Sequence, residues 1–231
     1  MGAVRVPRCF AFIDLSGFTA LTARQGDERA VLVLSAFRAL VRDICSRRGV
    51  RIAKWLGDGA MLVGVETRPV VEAILEMQLA APTASEEMAI RCGVSVGEVI
   101  LHEGDDYIGH AVNVAARLCD MAQGGEILAA EEVADEVPRW GAVLTFEDMI
   151  VRSLQRPVKV ARLGMRQLEG DIRPDPVCGI PLSRPVAARW AHDGLGRELW
   201  FCSDSCLDTW QRRPAPALEE PGSVRTPFIG S

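Results

Sequence analysis

The order of apolar and polar residues divides the chain into strands and helices with short turns between them. An apolar run over residues 9–15 predicts a buried strand that leads into a turn. Apolar side chains then recur at helical spacing over residues 19–48, and Gly26 predicts a break in that helix. Two alternating stretches, 50–56 and 60–65, flank a Gly-Asp-Gly turn, which is typical of a β-hairpin.

The pattern farther along the chain continues this mixture of strands and helices. It predicts a helix over 69–81, a strand over 88–100, a helix over 113–122, a strand over 126–129, a short helix over 130–137, and a closing strand pair over 145–152 and 158–163. Strands interspersed with helices, including adjacent hairpin strands, indicate an α+β fold with a mixed or antiparallel sheet.

Composition limits the classes of protein that this chain can belong to. Its 231 residues allow one domain of good size, with or without a small appendage, and 48% of them are hydrophobic. The net charge of −5 argues against a nucleic-acid partner, which would need a basic face. The start of the chain has no apolar stretch long enough for a signal peptide or a membrane span, so a cytoplasmic protein is predicted.

The cysteines and prolines suggest how the chain is organised. Four of the seven cysteines are scattered singly and are expected to be buried in a reducing compartment: Cys9, Cys45, Cys92 and Cys119. We expect an N-terminal domain over 1–166, a linker over 167–174, a small unit over 175–214 that we call the cysteine unit, and a disordered tail over 215–231.

Four short segments of the N-terminal domain carry the candidate chemistry. They read FIDLSGFT at 12–19, KWLGDG at 54–59, DYIG at 106–109 and VNVAAR at 112–117. In this order they resemble the catalytic domain of class III nucleotide cyclases, the family of adenylate and guanylate cyclases. The resemblance implies a ferredoxin-like α+β fold and the cyclisation of a nucleoside triphosphate.

Two aspartates, Asp14 and Asp58, each occur where a predicted strand ends in a glycine-flanked turn. Converging carboxylates suit Mg²⁺ or Mn²⁺, with triphosphate oxygens completing the coordination. The resemblance implies two such ions per active site, held by Asp14, Asp58 and the Leu15 carbonyl, with phosphate contacts at Phe18 and Thr19. The structural alternative is that Asp14 caps the next helix and Asp58 is a turn residue.

Lys54 and Asp106 are the candidate base-recognising residues. Taken alone, Lys54 is typical of an exposed strand face and Asp106 of a turn. The resemblance implies that the lysine donates to adenine N1 and the aspartate accepts from the N6 amino group. Guanine presents the opposite pattern, and guanylate cyclases typically carry a glutamate in place of the lysine. The pair therefore indicates ATP as the substrate.

Asn113 and Arg117 lie four residues apart on a predicted helix and should project from one face. The resemblance implies that the asparagine orients the ribose and that the arginine stabilises charge on the α-phosphate. It also implies a basic residue for the terminal phosphates, for which Arg152 is the candidate. A capping asparagine and two solvated arginines are the structural alternative.

The resemblance also implies a homodimer with two shared active sites. The carboxylates Asp14 and Asp58 of one protomer would face the other four residues on its partner: Lys54, Asp106, Asn113 and Arg117. Since this chain carries both sets, two copies can form two equivalent sites.

The cysteine unit contains the three remaining cysteines, Cys178, Cys202 and Cys206, which we call the cysteine cluster. The segments DPVCG at 175–179 and WFCSDSC at 200–206 resemble the YHS domain, a small metal-associated module. Three thiolates suit Zn²⁺ or a softer ion, with His192 and Asp175 as candidate fourth ligands. The alternative is a reduced mini-core stabilised by its aromatic residues.

These observations predict an adenylate cyclase that forms 3′,5′-cyclic AMP and pyrophosphate from ATP. Two other functions are considered. One is a guanylate cyclase, against which Lys54 and Asp106 argue. The other is a catalytically silent sensor of nucleotide or metal, which would be expected to have lost at least one of the matching residues.

Overall fold

A computed structural model describes residues 4–81, 89–102, 106–151 and 157–212. Within these ranges, eight strands form one sheet: β1 (Arg5–Ser16), β2 (Arg51–Leu56), β3 (Gly59–Gly64), β4 (Ala89–His102), β5 (Asp106–Ile108), β6 (Ile127–Ala130), β7 (Gly141–Met149) and β8 (Val158–Met165). Their order is β2-β3-β1-β4-β6-β8-β7, and β5 pairs with β4. The β4–β6 pair is parallel and the other pairs are antiparallel, so the predicted α+β fold with a mixed sheet is confirmed.

Three helices cover the two faces of this sheet: α1 (Phe18–Arg48), α2 (Thr67–Ala80) and α3 (His110–Met121). Because side chains alternate along a strand, β1 sends Ala11 and Ile13 into a core shared with α1 and α2. Its Phe10 points into a second core with α3. A 3₁₀ helix (Glu131–Glu136) follows β6, where a short helix was predicted.

The predicted break in the first helix is present as a kink at Gly26. This residue has φ 81° and ψ 169°, a conformation that favours glycine, and the helix continues on both sides of it. Several element boundaries differ from the sequence prediction: β1 begins at Arg5 instead of 9, and α3 at His110 instead of 113. The closing strand β7 begins at Gly141 instead of 145, with an irregular register between Val143 and Thr145 that hides the simple alternation. Asp106 was expected in a turn and instead begins β5.

Gly93 on β4 allows α3 to lie against the sheet. A Cβ atom at this position would stand 2.1 Å from the Ala115 carbonyl oxygen and 2.2 Å from the Cys119 amide nitrogen. Both atoms are backbone of α3, so a side-chain rotation cannot relieve the clash.

Gly93→Ala should therefore lower the free energy of unfolding by about 3 kcal/mol, because the helix has to move away from the strand. Urea denaturation of the full chain would measure this change. The matched control is Gly194→Ala, where an added Cβ meets nothing within 4 Å. Equal stability of the two variants would contradict the role assigned to Gly93.

The cysteine unit folds around two short sheets and a helix. One sheet pairs β9 (Arg173–Pro174) with β10 (Pro181–Leu182), the other pairs β11 (Arg189–His192) with β12 (Glu198–Phe201), and α4 (Asp204–Gln211) follows. Strand β9 thus uses two residues of the predicted linker. The predicted disordered tail, 215–231, lies outside the described residues.

The cysteine unit packs against the N-terminal domain. Its buried residues Leu182 and Phe201 belong to the same continuous hydrophobic cluster as Ile44 of α1 and Leu75 of α2. Trp140, which precedes β7, is 1% exposed and donates from Nε1 to the Cys202 carbonyl oxygen at 3.2 Å. In the described part of the chain, every helix is too short or too polar to cross a membrane.

Candidate active site and cysteine cluster

The two candidate metal-binding carboxylates lie at neighbouring strand ends. Asp14 on β1 is the register partner of Gly59 on β3, and Asp58 directly precedes that glycine in the tight turn between β2 and β3. A Cβ on Gly59 would lie 2.5 Å from the Ile13 carbonyl oxygen and 3.1 Å from Asp14 Oδ1. A glycine at this position is therefore what lets β3 approach Asp14 so closely.

The electrostatics of this pair favour a bound cation. Burial raises the pKa of Asp58, and the neighbouring Asp14 carboxylate raises it further. Two hard-oxygen donors that repel each other fit Mg²⁺ or Mn²⁺, because a divalent ion between them would offset that repulsion. Asp14 does not cap α1, since Gly17 is the N-cap residue with φ 88° and no side chain caps the helix there. This excludes the structural alternative considered for Asp14.

The Gly17 turn sets the position of the next residues. Leu15 is 7% exposed and contributes its side chain to the core, while Phe18 and Thr19 form the start of α1. Amides at a helix start point along its axis and are available to phosphate oxygens. The turn thus brings the start of α1, with Phe18 and Thr19, next to the end of β1 that carries Asp14 and Leu15.

Arg91 is a site residue that the sequence analysis missed. It is the register partner of Asp14 on β4, and its Nε and Nη2 atoms donate to Asp14 Oδ2 at 2.8 and 2.6 Å. Its Nη1 reaches the Asp120 carbonyl oxygen at 3.5 Å. A lone arginine in a strand with few charges was the available signal, but only the strand register shows that it meets Asp14.

Lys54 and Asp106 form an ion pair with each other. Lys54 lies on β2 and Asp106 begins β5, and 52 residues separate them in sequence. The ring of Tyr107 packs edge-on against that of Phe10, with 5.3 Å between the ring centroids, and this contact holds β5 in place beside β4. The hydrogen bond from Lys54 lowers the pKa of Asp106, so this carboxyl is ionised. Both side chains are about half exposed and remain accessible to a ligand.

Asn113 and Arg117 lie on the exposed face of α3, whose opposite face buries Val114 and Leu118. Gly109 is the N-cap of this helix, so Asn113 does not cap it. Arg117 donates from Nη1 to Asp120 Oδ2 at 2.9 Å. The other predicted phosphate-binding residue, Arg152, lies outside the described residues.

The hydrogen bonds and ion pairs of one chain link the predicted site residues within small sets and not across them. Asp14 and Asp58 lie together with Arg91, while Lys54 and Asp106 pair with each other. Among the described residues, no hydrogen bond or ion pair links Lys54 or Asp106 to the two candidate metal-binding carboxylates. Asn113 and Arg117 face outwards from α3.

The thiols of the cysteine cluster converge on one point. The Sγ atoms of Cys178 and Cys206 each lie 3.5 Å from that of Cys202, and Cys202 and Cys206 are buried. Ser203 caps α4 by accepting from the Cys206 amide. Hydrogen bonds from the Cys178 and Cys202 thiols lower the pKa of Cys206, which favours a thiolate within the cluster.

Asp175 joins the cluster, whereas His192 is not part of this group of described residues. The ligand atoms of Asp175, Cys178, Cys202 and Cys206 all lie within 4.8 Å of one another. Asp175 is 2% exposed, and its two carboxylate oxygens accept from the backbone amides of Val177, Cys178 and Cys202. It therefore holds the two cysteine-bearing segments together.

Comparison with known proteins places the N-terminal domain in a family. The family described as "Adenylate and Guanylate cyclase catalytic domain" matches residues 7–152. An uncharacterized protein of Mycobacterium tuberculosis is 34% identical over 152 residues, which are 66% of this chain and 40% of that protein. An adenylate cyclase of Streptomyces coelicolor is 32% identical over 130 residues, 55% of this chain and 33% of that enzyme. This chain therefore spans 40% or less of these relatives.

Solved cyclase structures share the fold. The adenylyl cyclase CyaB of P. aeruginosa has a TM-score of 0.61 and 22% identity, and the comparison covers 72% of this chain and 98% of that one. The guanylyl cyclase Cya2 has a TM-score of 0.62 and 22% identity, covering 72% and 96%. The family match ends before the cysteine unit, whose likeness to a YHS domain stays a prediction. The protein belongs to the adenylate and guanylate cyclase catalytic domain family.

Proposed function

We propose that this protein is an adenylate cyclase that converts ATP to 3′,5′-cyclic AMP and pyrophosphate. In this reaction, the ribose 3′-oxygen bonds to the α-phosphorus and loses its proton. The bond from that phosphorus to the oxygen bridging the β-phosphate breaks. The observation that carries the choice of ATP is the ion pair between Lys54 and Asp106. The similarity to a Streptomyces adenylate cyclase supports it.

The ion pair fits the adenine edge because of what each side chain can donate or accept. An ammonium group only donates hydrogen bonds, and an ionised carboxylate only accepts them. Adenine offers an acceptor at N1 beside a donor at N6, whereas guanine offers a donor at N1 beside an acceptor at O6. Lys54 and Asp106 therefore match adenine and would leave guanine with two mismatched groups.

The residues around Asp14 would hold the triphosphate end of the substrate. Asp14, Asp58 and the Leu15 carbonyl would bind two Mg²⁺ or Mn²⁺ ions, and the amides of Phe18 and Thr19 would meet phosphate oxygens. Such ions acidify the attacking hydroxyl and neutralise the phosphates. Arg91, which donates to Asp14 in this structure, would be close enough to that end of the site to contact the triphosphate. Arg152 is our proposal for the terminal phosphates.

The active site is proposed to form between two copies of the chain. The membership of this chain in the cyclase family supports this arrangement. So does the outward position of Asn113 and Arg117, which would orient the ribose and stabilise charge on the α-phosphate of a substrate held by the partner. A homodimer with two-fold symmetry then contains two such sites.

The cysteine cluster is proposed to bind Zn²⁺ or another thiophilic ion. The convergence of three sulfur atoms, with Asp175 organising the backbone between them, supports a metal more than a mini-core alone. We place the protein in the cytoplasm, where reducing conditions keep such thiols available.

Product analysis with ATP and with GTP tests the substrate choice. Purified protein with Mn²⁺ should form cyclic AMP, with a kcat/KM for ATP well above that for GTP. In the double variant Lys54→Glu/Asp106→Lys, the ratio of the two kcat/KM values should fall by about 10²-fold or more, because donor and acceptor exchange places.

The double variant contains its own control, since the two side chains still form an ion pair and the melting temperature should stay near that of the wild type. Equal use of ATP and GTP by the wild type would support a guanylate or unselective cyclase instead. An unchanged ratio in the double variant would show that these two residues do not contact the base.

A further inference from the structure

Arg48 is the last residue of α1, and its side chain is buried against the cysteine cluster. The side chain is 2% exposed. Its Nη2 atom donates to Cys202 Sγ at 3.1 Å and lies 3.8 Å from Cys178 Sγ, while Nη1 donates to Ser203 Oγ at 3.1 Å. A residue of the N-terminal domain thus supplies the hydrogen bonds that reach two of the three sulfur atoms.

Two buried glutamates of α2 hold Arg48 in this position. Glu72 accepts from Nη1 at 2.8 Å, and Glu76 accepts from Nε at 2.8 Å. Glu76 also accepts from Arg47 at 2.7 Å. With every edge of the guanidinium engaged, the side chain has one orientation, and its remaining N–H groups point at sulfur.

The donor to Cys202 is a guanidinium whose charge is compensated by Glu72 and Glu76, so it can lie buried beside the sulfur atoms. Its fixed fork directs an N–H group at Cys202 Sγ. Hydrogen bonds from outside the coordination sphere are also what orients and tunes metal-bound ligands. The position of Arg48 is therefore that of an outer-sphere donor to a metal site formed by the three sulfur atoms.

The spacing of the sulfur atoms agrees with a single bound ion. With Zn–S bonds of about 2.3 Å, two thiolates of a tetrahedral site lie about 3.8 Å apart. The observed separations of 3.5 Å from Cys202 to its two neighbours are close to this value. The carboxylate of Asp175 is occupied by three backbone amides, which leaves the three sulfur atoms as the principal ligands.

We infer that Arg48 is a positioning residue of a thiophilic-metal site that the N-terminal domain and the cysteine unit build together, so that the bound metal fastens the cysteine unit to α1 and α2. The inference rests on the proposed metal binding by the cysteine cluster. The inference adds that a metal bound at this site stabilises the N-terminal domain in addition to the cysteine unit. A ligand that binds the folded chain alone raises its stability by mass action, and here both parts would share the gain.

The experiment uses the full chain and measures metal binding without nucleotide. Zn²⁺ and Cu(I) affinities are measured separately by competition with chelators, and Co²⁺ serves as a spectroscopic probe through its thiolate charge-transfer absorption. Arg48→Met should weaken Zn²⁺ or Cu(I) binding by about 10- to 100-fold and shift the Co²⁺ spectrum. Arg48→Lys should bind the metal more tightly than Arg48→Met, because lysine keeps the positive charge but lacks the planar set of N–H donors of the guanidinium group.

Thermal unfolding tests the link to the N-terminal domain. Adding the tighter-binding metal should raise the melting temperature of the wild type, followed by the far-ultraviolet circular dichroism of the long helices α1 and α2 in the N-terminal domain. The rise should be smaller in Arg48→Met. The matched control is Arg197→Met, whose exposed arginine pairs with Asp193 in the same unit; its affinity and melting shift should equal those of the wild type.

The possible results separate the proposals. Wild-type affinity in both Arg48 variants, or a melting temperature that metal does not change, would overturn the inference while leaving the metal site in place. Absence of Zn²⁺, Cu(I) and Co²⁺ binding in the wild type would overturn the inference and the metal site together. Cyclase activity is not measured in any arm, so these outcomes leave the adenylate cyclase proposal untouched. If Arg48→Met does not fold, Arg48→Lys and Glu72→Gln provide the same comparison.

Discussion

Asp58→Asn should reduce the formation of cyclic AMP from ATP by about 10³-fold at saturating Mn²⁺. The amide keeps the shape of the side chain but removes the charge that would bind the metal. Loss of a transition-state interaction of this kind lowers kcat, which steady-state assays at several Mn²⁺ concentrations would measure.

The same substitution should leave the fold intact or slightly more stable. Burial and the nearby Asp14 both disfavour the charged form of Asp58, so a neutral side chain relieves that repulsion. An inactive protein with an undiminished melting temperature would therefore separate a chemical role from a structural one. The control is Asp208→Asn, an exposed carboxylate on α4, which should keep near wild-type activity. Near wild-type activity of Asp58→Asn would exclude a catalytic metal at this carboxylate.

Mixing two inactive variants should restore activity if the sites are shared between protomers. Asp14→Ala removes a proposed metal ligand, and Arg117→Ala removes the proposed α-phosphate contact, so each homodimer lacks one group in both of its sites. In a heterodimer, one site lacks both Asp14 and Arg117, and the other site has both residues. Equal mixing gives half heterodimers, so the recovered activity should be about a quarter of the wild-type value.

This recovery is measured after the two variants are mixed, allowed to exchange subunits and assayed with ATP and Mn²⁺. Tagging the two variants differently and co-purifying them would verify that heterodimers are present. Activity that stays at the level of the separate variants, with heterodimers demonstrated, would mean that each chain forms its site alone. The proposed sharing of the site between protomers would then be wrong.

Local patterns were sufficient to predict much of the N-terminal domain. The strand ends at Asp14 and Asp58 were recognisable from an apolar run followed by glycine, and the kink in α1 from Gly26. The start of β7 could not be recognised in this way, because the irregular pairing near Val143 interrupts the alternation of buried and exposed residues on which a strand prediction depends.

Residues whose role depends on contacts between distant parts of the chain could not be predicted from the sequence. Arg91 meets Asp14 only because β4 pairs with β1 in one particular register, and no local pattern specifies that register. Arg48 was unremarkable as a basic residue at a helix end, where arginine is common. Its contact with Cys202 joins positions 154 residues apart, so it depends on the packing of the two parts of the chain.

The burial of Arg48, Glu72 and Glu76 beneath the cysteine unit has an evolutionary consequence. A recombination event that transferred the cysteine unit to another cyclase would separate it from the three charged side chains on which it sits. The recipient cyclase would present a different helix surface to Cys202 and Ser203. A cyclase domain without the cysteine unit would have Arg48, Glu72 and Glu76 uncovered on its surface. The two parts of this chain are thus expected to have been inherited as one piece, with changes at position 48 tolerated only alongside changes in the unit that covers it.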